Sequence, residues 1–580
     1  MKYSNELNTR ILIALLKKHG IKRVILNPGS SNLAFSGSVQ NDGDFELYSG
    51  VDERHSAYMA CGIAAETGEP VVINCTGATS SRNYMPALTE AFYRKLPILV
   101  VTSSQPSSLV GQLEPQVTNR LVLPQDVVRH SVNIRAVTEL GTGVCQRLIN
   151  EAILELWRHG GGPVHLNLEM SYSHSFDVGS LPEVAKICRY GLEDDDWPEI
   201  SRSEKVAVFI GSHKIFPQNT LCTIREFVER HNAVVLCDCT SAYEGPKKIF
   251  PSLICSQKLK GSREFEELKP SLTIHIGEIS GDAPTTSFLR ESKCVWRVSE
   301  DGEIRDTFGK LKKVFEMSEC AFFSHYNQMD SKADSSYYEL WRYVDGDLRS
   351  KIPELPFSNP FMAQRMSDCL PSGSILHLAI LNSLRGFNYF GKPSSVSSMS
   401  NVGGFGIDGC TSTLIGVSLV RKERLCFLVT GDLAFFYDLN AIGNRHIGSN
   451  LRILLVNNGG GAEFHMYNNP TSQFAERTGD YIAADGHFGR QSKELLKGFA
   501  EQLGFDYMTA DSKEQFDAAL PRFVGAQQKK PILLECFTTM AAESSALELL
   551  NGIRSCVDVI GGMKRIVPSG VKSVVRKLLK

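Results

Sequence analysis

The stretch "GDLAFFYDLNAIGNRHIGSNLRILLVNNGGG", residues 431–461, reads as a strand end, a helix and a second apolar strand that stops in two asparagines and three glycines. An ordinary βαβ unit needs neither an acid at one strand terminus nor an Asn-Asn pair at the next. These residue types suit a bound diphosphate, whose charge is too dense to bury without a divalent cation. Magnesium takes hard oxygen donors in an octahedron, few of them from the protein. Asp432 offers a carboxylate, Asn458 an amide oxygen and Gly460 a main-chain carbonyl. The pattern predicts a helix from about Ala434, whose first amides favour an anion at the same place. Glycines at 459 to 461 let a bulky ligand approach the backbone. Taken singly, each feature has a simpler reading: Asp432 as a helix cap, Asn-Asn-Gly as a turn.

Outward from this stretch, strands and helices alternate along most of the chain, which predicts an α/β protein with parallel sheets flanked by helices. A chain of 580 residues is too long for one core, and three domains are expected, at 1–182, 200–335 and 353–541, with a C-terminal extension at 542–580. The first contains "RVILNPGSS", "PVVINCTGATSS", "LPILVVTSSQ" and "GPVHLNLEM", apolar strands ending in small polar residues. Such ends gather at the carboxyl edge of a parallel sheet, where open α/β folds bind ligands. The second contains "KVAVFIG", "AVVLCD", "LTIHIG" and "CVWRVS", without the GxGxxG fingerprint of a dinucleotide site. The third contains "SILHLAI", "LCFLVTGD", "RILLVNN" and "PILLECF". Two polar stretches, "YGLEDDDWPEISRSEK" and "SSYYELWRYVDGDLRSKIPELPFSNP", read as linkers.

The bulk numbers narrow the function. A formal net charge of −2 gives no electrostatic reason to expect nucleic acid as a partner. The cysteines are scattered without a CxxC pair, and Cys237 and Cys239 read as buried strand thiols rather than metal ligands. The N-terminal "MKYSNELNTRILIALLKKHG" reads as an amphipathic helix rather than a signal peptide, and no apolar run approaches the ~20 residues of a membrane span. A cytoplasmic location is expected. The basic tail "MKRIVPSGVKSVVRKLLK" carries an apolar stripe at Val571, Val574, Val575 and Leu578. It reads as a solvated helix or a packing arm in preference to a membrane contact.

Gly431-Asp432 followed by Asn457-Asn458, each pair at a strand end, resembles the signature of thiamine diphosphate-dependent enzymes. The resemblance spans nearly the whole chain in the order pyrimidine-binding, middle and diphosphate-binding domain. It implies thiamine diphosphate and Mg2+ as cofactors, with Asp432, Asn458 and Gly460 at the metal, and Gly431, Leu433, Ala434 and Gly461 beside the diphosphate. The family activates its cofactor through a glutamate from another domain. "VDERHSAYMACGIA" places Glu53 in that role, although a glutamate in a helix's first turn is also favoured by the helix dipole alone. By the same resemblance Thr76 and Gly77 contact the cofactor, and Ile407 in "NVGGFGIDG" props it into a bent conformation. A homodimer or homotetramer is implied, with Glu53 of one subunit meeting Asp432 of another.

Within the superfamily the chain is most similar to the succinyl-enolpyruvyl-hydroxycyclohexene-carboxylate synthases of menaquinone synthesis, through "NPGSSN", "VDERHSAYMACGIAAETGEPVV", "SNVGGFGIDG", "GDLAFFYDLNAI" and "VNNGGG". Those enzymes decarboxylate 2-oxoglutarate and add the four-carbon unit to isochorismate. They hold their carboxylate-rich substrates with arginines, whose planar forks pair with carboxylates at two points. This chain has Ser31, Gln105, Phe387 and Val402 at the matching positions, and "GEISGDAPTT" lacks the expected basic pair. Of the polar substrate contacts only Gln116 remains. Glu463 falls where those synthases are apolar, in a segment that lines the reactive carbon, and is a candidate for proton handling, with a surface role as the alternative. His465 and His55 are further acid/base candidates.

The expected function is therefore decarboxylation of a small 2-oxo acid and transfer of its acyl unit to a less anionic carbonyl acceptor. A simple 2-oxo acid decarboxylase, a menaquinone-type synthase with altered substrate contacts, and a catalytically dead cofactor-binding scaffold are the alternatives.

Overall fold

The computed structural model describes residues 2–201, 203–257, 261–329 and 334–554. The basic tail with Val571, Val574, Val575 and Leu578 lies outside the described residues. The chain forms two compact units. Among the described residues, one runs to Gly191 and includes Gly302–Val314, and the other comprises Leu192–Asp301 and Phe315 to Arg554.

In the first unit six parallel strands lie in the order Glu46–Ser49, Arg23–Leu26, Val71–Cys75, Ile98–Ser104, Val164–Glu169, His130–Ile134. Val71–Cys75, Ile98–Ser104 and Val164–Glu169 are buried along their whole length. Helices on both faces remove them from water, so they read in sequence as continuous apolar runs. The N-terminal helix spans Leu7–Lys18 and packs with Thr142–Leu154 on one face. Glu53–Thr67 and Met85–Arg94 pack on the other. The N-terminal helix buries every residue from Ile11 to Leu16, so more of its circumference faces protein than the predicted amphipathic stripe required.

Two parallel sheets lie in the second unit. One includes Lys248–Ile249, Ala233–Cys237, Val206–Ile210, Leu272–Ile276 and Cys294–Ser299, neighbours in that order. Cys237 and Cys239 are both buried free thiols, and burial pushes Cys237 up to about 12. The other sheet runs Ser397–Met399, Ile375–Leu378, Cys426–Gly431, Leu451–Asn457, Ile532–Phe537, Asp506–Ala510, again all parallel. The expected α/β class with parallel sheets and flanking helices is what the chain forms.

The sequence reading missed three edge strands. His130–Ile134, Ser397–Met399 and Asp506–Ala510 are only partly covered, so they lack the apolar run that marks a central strand. One supposed linker is largely helix, Ser336–Arg349, burying Tyr337, Trp341, Val344 and Leu348. Their spacing of three to four residues is a helical stripe, hidden in the sequence by charged residues on the opposite face.

Several histidines are buried in neutral form. His165 sits between Thr102 Oγ1 at 2.8 Å and Ser131 Oγ at 2.9 Å, and burial, reinforced by Arg120 and Arg82, lowers its pKa to about 3. The unfolded chain binds this proton below about 6.5 while the folded chain refuses it. The contribution of His165 to stability is therefore complete above that pH. It falls towards pH 3, by at most ~1.4 kcal/mol per pH unit. Substituting H165Q should reduce the loss in Tm between pH 7 and pH 5 relative to the unaltered protein. Thermal unfolding at the two pH values checks this, and an equal loss in both proteins would refute it.

Candidate active site

Three neighbouring strands of the Asp506–Ala510 sheet build the candidate site at their carboxyl ends. Strand Cys426–Gly431 runs directly into a short helix, Asp432–Tyr437, which begins two residues before the predicted start. Gly431 is the N-cap and makes no side-chain cap bond, so Asp432 does not cap its own helix. Its Oδ2 instead accepts a hydrogen bond of 2.9 Å from the backbone N–H of Gly459, at the end of the adjacent strand Leu451–Asn457. Burial pushes the Asp432 carboxyl up to about 7, although the N–H groups of Leu433, Gly459 and Gly460 oppose the shift.

The two asparagines part company. Asn457 turns into the sheet, where Nδ2 donates to Glu535 Oε1 at 2.6 Å, and Tyr507 donates to the other oxygen of Glu535 at 2.7 Å. Among the described residues, Oδ1 of Asn458 is buried with no hydrogen-bond partner. An orphaned buried acceptor is costly. A buried carboxylate that resists ionisation beside an unpaired amide oxygen is a donor set that a hard divalent cation would satisfy. No three His, Cys, Asp or Glu side chains among the described residues converge as a metal site.

The glycines serve a purpose beyond the expected ligand approach. Gly459 adopts φ +88°. A Cβ on Gly460 would lie 2.2 Å from Asp485 Oδ1. Residues 483–486 cross the glycine run, with Gly461 N–H donating to Ala483 at 2.6 Å and Gly486 N–H donating to Gly459 at 3.1 Å. The space freed by the missing side chains is thus taken partly by the chain itself. His465 Nε2 lies 2.7 Å from Asp485 Oδ2 and ties the turn Ala462–His465 to this crossing segment. Leu433 is half-buried and Ala434 buried in the helix, and Ile407 packs partly against the core of the same sheet.

Glu463 is not a free surface carboxylate. Its Oε1 accepts from Arg385 Nη2 at 3.0 Å, and Oε2 lies 3.0 Å from Nη1. Arg385 was not among the predicted residues, although it stands two positions before Phe387, where the resemblance calls for an arginine. That displaced arginine was the signal available. Phe387 and Val402 are both buried hydrophobic residues.

In the first unit Glu53 opens helix Glu53–Thr67, which is capped by Asp52 accepting from His55 N–H at 2.8 Å. Glu53 Oε2 accepts from Asn83 Nδ2 at 3.1 Å. His55 itself is exposed. Thr76 Oγ1 lies 3.2 Å from Ser80 Oγ, and Gly77 caps helix Ala78–Asn83. A Cβ on Gly77 would meet Arg120 Nη2 at 2.4 Å and the Gln116 carbonyl at 3.2 Å. Gln116 has φ +64° and an exposed side chain, and its carbonyl accepts from Arg120 Nη2 at 3.2 Å. Arg120, also absent from the predicted residues, is 5% exposed and donates from Nη1 to the Ser103 carbonyl. Only the placement of Gly77 beside the 116–120 loop reveals it.

Residues 8–123 match the family model of the thiamine pyrophosphate enzyme N-terminal TPP binding domain. A 2-succinyl-5-enolpyruvyl-6-hydroxy-3-cyclohexene-1-carboxylate synthase from Phocaeicola vulgatus is 32% identical over 567 residues, covering 95% of this chain and 99% of the relative. The synthase of the same name from Bacteroides thetaiotaomicron is 32% identical over 94% of this chain and 98% of its own length. That of Flavobacterium johnsoniae is 28% identical over 91% and 95%. With that coverage from end to end, the chain belongs to the thiamine pyrophosphate-dependent enzymes, in the family of the 2-succinyl-5-enolpyruvyl-6-hydroxy-3-cyclohexene-1-carboxylate synthases.

Proposed function

We propose that this protein is a synthase of the same reaction type as those relatives, acting through altered substrate contacts. It would remove carbon dioxide from a 2-oxo acid and transfer the remaining acyl unit to an acceptor. End-to-end similarity to the synthases supports this more strongly than the expected carboligase acting on an unrelated small acid. The observation that carries the reading is the buried, partnerless Asn458 Oδ1 beside the buried Asp432 carboxyl.

Thiamine diphosphate, when bound, supplies an acyl-anion equivalent, chemistry that belongs to the cofactor rather than the protein. Asp432, Asn458 and the Gly460 carbonyl would hold Mg2+, and Gly431, Leu433, Ala434 and Gly461 would stand beside the diphosphate. Glu53 would hold or release a proton at the pyrimidine, with Asn83 fixing the carboxylate's orientation. Thr76, Gly77 and Ile407 would shape the pocket, and Gln116 would remain as a polar substrate contact. His465, paired with Asp485, would position the turn that carries Glu463. The active assembly would be at least a homodimer, in which Glu53 of one subunit serves the Asp432 site of another.

A second reading has a specific observation behind it. Phe387 and Val402, where the synthases carry arginines by resemblance, are buried hydrophobic residues, which favours an acceptor with fewer carboxylates. One experiment addresses both readings. The holoprotein with Mg2+ is given 2-oxoglutarate plus isochorismate, and separately pyruvate and other 2-oxo acids with neutral aldehydes, while carbon dioxide and products are followed by mass spectrometry. The expected result is magnesium-dependent release of carbon dioxide together with a new carbon–carbon bond in the product. Release with only an aldehyde formed would make the protein a simple decarboxylase. No release from any donor in the presence of any acceptor, with cofactor bound, would overturn the reading.

A further inference from the structure

Arg385 lies on helix Asn382–Phe390, which follows strand Ile375–Leu378, and Glu463 lies on the turn that follows strand Leu451–Asn457. Those two strands flank Cys426–Gly431, the strand that leads into Asp432. The pair is therefore assembled from the two strand ends on either side of Asp432. Both side chains are about one-fifth exposed, at 23% and 22%. Arg385 donates hydrogen bonds to Glu463 Oε1 and to Asn382 Oδ1, each at 3.0 Å, and Glu463 Oε2 lies 3.0 Å from its Nη1 as an ion-pair contact. It also lines a small cavity with Asn382, Tyr389, Met466 and Glu543.

We propose that Glu463 is an internal counter-ion that occupies Arg385, so that this arginine is withheld from substrate carboxylates and the pair sets the site's preference for less anionic substrates. The proposal rests on the reading of the Asp432 region as the site of 2-oxo acid chemistry.

A guanidinium facing a substrate chamber is the natural anchor for a carboxylate, and the superfamily resemblance leads one to expect several. Here the guanidinium beside the expected position already faces a carboxylate of its own chain. An incoming carboxylate must displace Glu463 and leave that acid unpaired in a partly desolvated place, which is strongly unfavourable. Burial lowers the Arg385 pKa, but the charge and hydrogen bond of Glu463, with smaller contributions from Tyr389 and Asp282, outweigh it and leave the pKa raised. The arginine therefore already has a carboxylate partner within its own chain. Removing the carboxylate at 463 frees one cation in a pocket wall that holds few others by resemblance.

The test uses the full chain loaded with thiamine diphosphate and Mg2+. Its probes are acetylphosphonate and succinylphosphonate, analogues that cannot lose carbon dioxide and that match a 2-oxo acid with one carboxylate and with two. Glu463→Leu should tighten succinylphosphonate relative to acetylphosphonate by about tenfold or more, as expected when a charged partner becomes available. The double variant Glu463→Leu/Arg385→Met should return the ratio to that of the unaltered protein. Glu463→Gln, which keeps the side-chain shape, should move the ratio in the same direction and serves if the leucine variant does not fold. An unchanged ratio in the folded, cofactor-binding single variants would overturn the proposal, as would failure of both analogues to bind any form. Because the readout is binding, it separates the two readings. Absence of carbon dioxide release from every donor would sink the decarboxylation reading even with the selectivity shift present. Normal release with an unshifted ratio would sink the counter-ion alone.

Discussion

Replacing Asp432 with asparagine should raise the Kd for thiamine diphosphate in the presence of Mg2+ by about 100-fold or more, and magnesium should no longer strengthen what binding remains. The size follows from metal sites in general, where loss of even an outer partner of a ligand costs about 10–100-fold. The direction follows from this site. The Asp432 carboxyl is buried and its pKa is pushed up to about 7, and its Oδ2 accepts from the Gly459 N–H at 2.9 Å. A cation would turn that unfavourable burial into a favourable one, and the neutral amide cannot gain as much from it. Asparagine has nearly the same shape and removes a charge that burial disfavours, so the cofactor-free variant remains folded. Calorimetry of the stripped protein with cofactor, with and without Mg2+, reads the effect directly. A magnesium dependence that survives the substitution would remove Asp432 from the metal site.

Replacing Glu53 with glutamine lowers kcat by about 10²–10⁴-fold, the range typical of a positioned acid or base, while cofactor affinity changes by less than about tenfold. The separation is the informative part. Glu53 stands at the first position of its helix, and its Oε2 accepts from Asn83 Nδ2 at 3.1 Å. Glutamine can keep that acceptor through its amide oxygen, so local structure is retained and only the ionisable proton is lost. Steady-state turnover on whichever donor releases carbon dioxide, set beside cofactor binding by calorimetry, gives both numbers. Turnover retained in full would end the activating role and bring back the cofactor-binding scaffold. Turnover and binding lost together would mark Glu53 as a structural residue of the helix start.

Much of this architecture was legible in the residues. Central strands such as Val71–Cys75 and Leu451–Asn457 are covered on both faces, so each had to be a short continuous apolar run. The edges escaped because partial exposure admits polar residues, as in Asp506–Ala510 and Ser397–Met399. Helix Ser336–Arg349 escaped because its many charges look like a linker, while Tyr337, Trp341, Val344 and Leu348 form a stripe that only the helical period reveals. The glycine run Gly459–Gly461 predicts a cradle open to a ligand. Residues 483–486 lie against it, and nothing local to the glycines announces a segment more than twenty positions away.

By itself the sequence determined the α/β class, the candidate Asp432–Asn458 pair and the helix that opens at Glu53, because each depends on residues close together along the chain and on the local chemistry of a strand end or helix start. Tertiary structure alone decided that Asn457 turns inward to Glu535 while Asn458 keeps a free buried oxygen, since that depends on strand Ile532–Phe537 lying alongside. It also decided that Glu463 is held by Arg385, 78 residues away in sequence. A charge shows its sign in the sequence, but its partner is chosen by the packing of distant strand ends, and that partner determines whether the charge is available to a ligand.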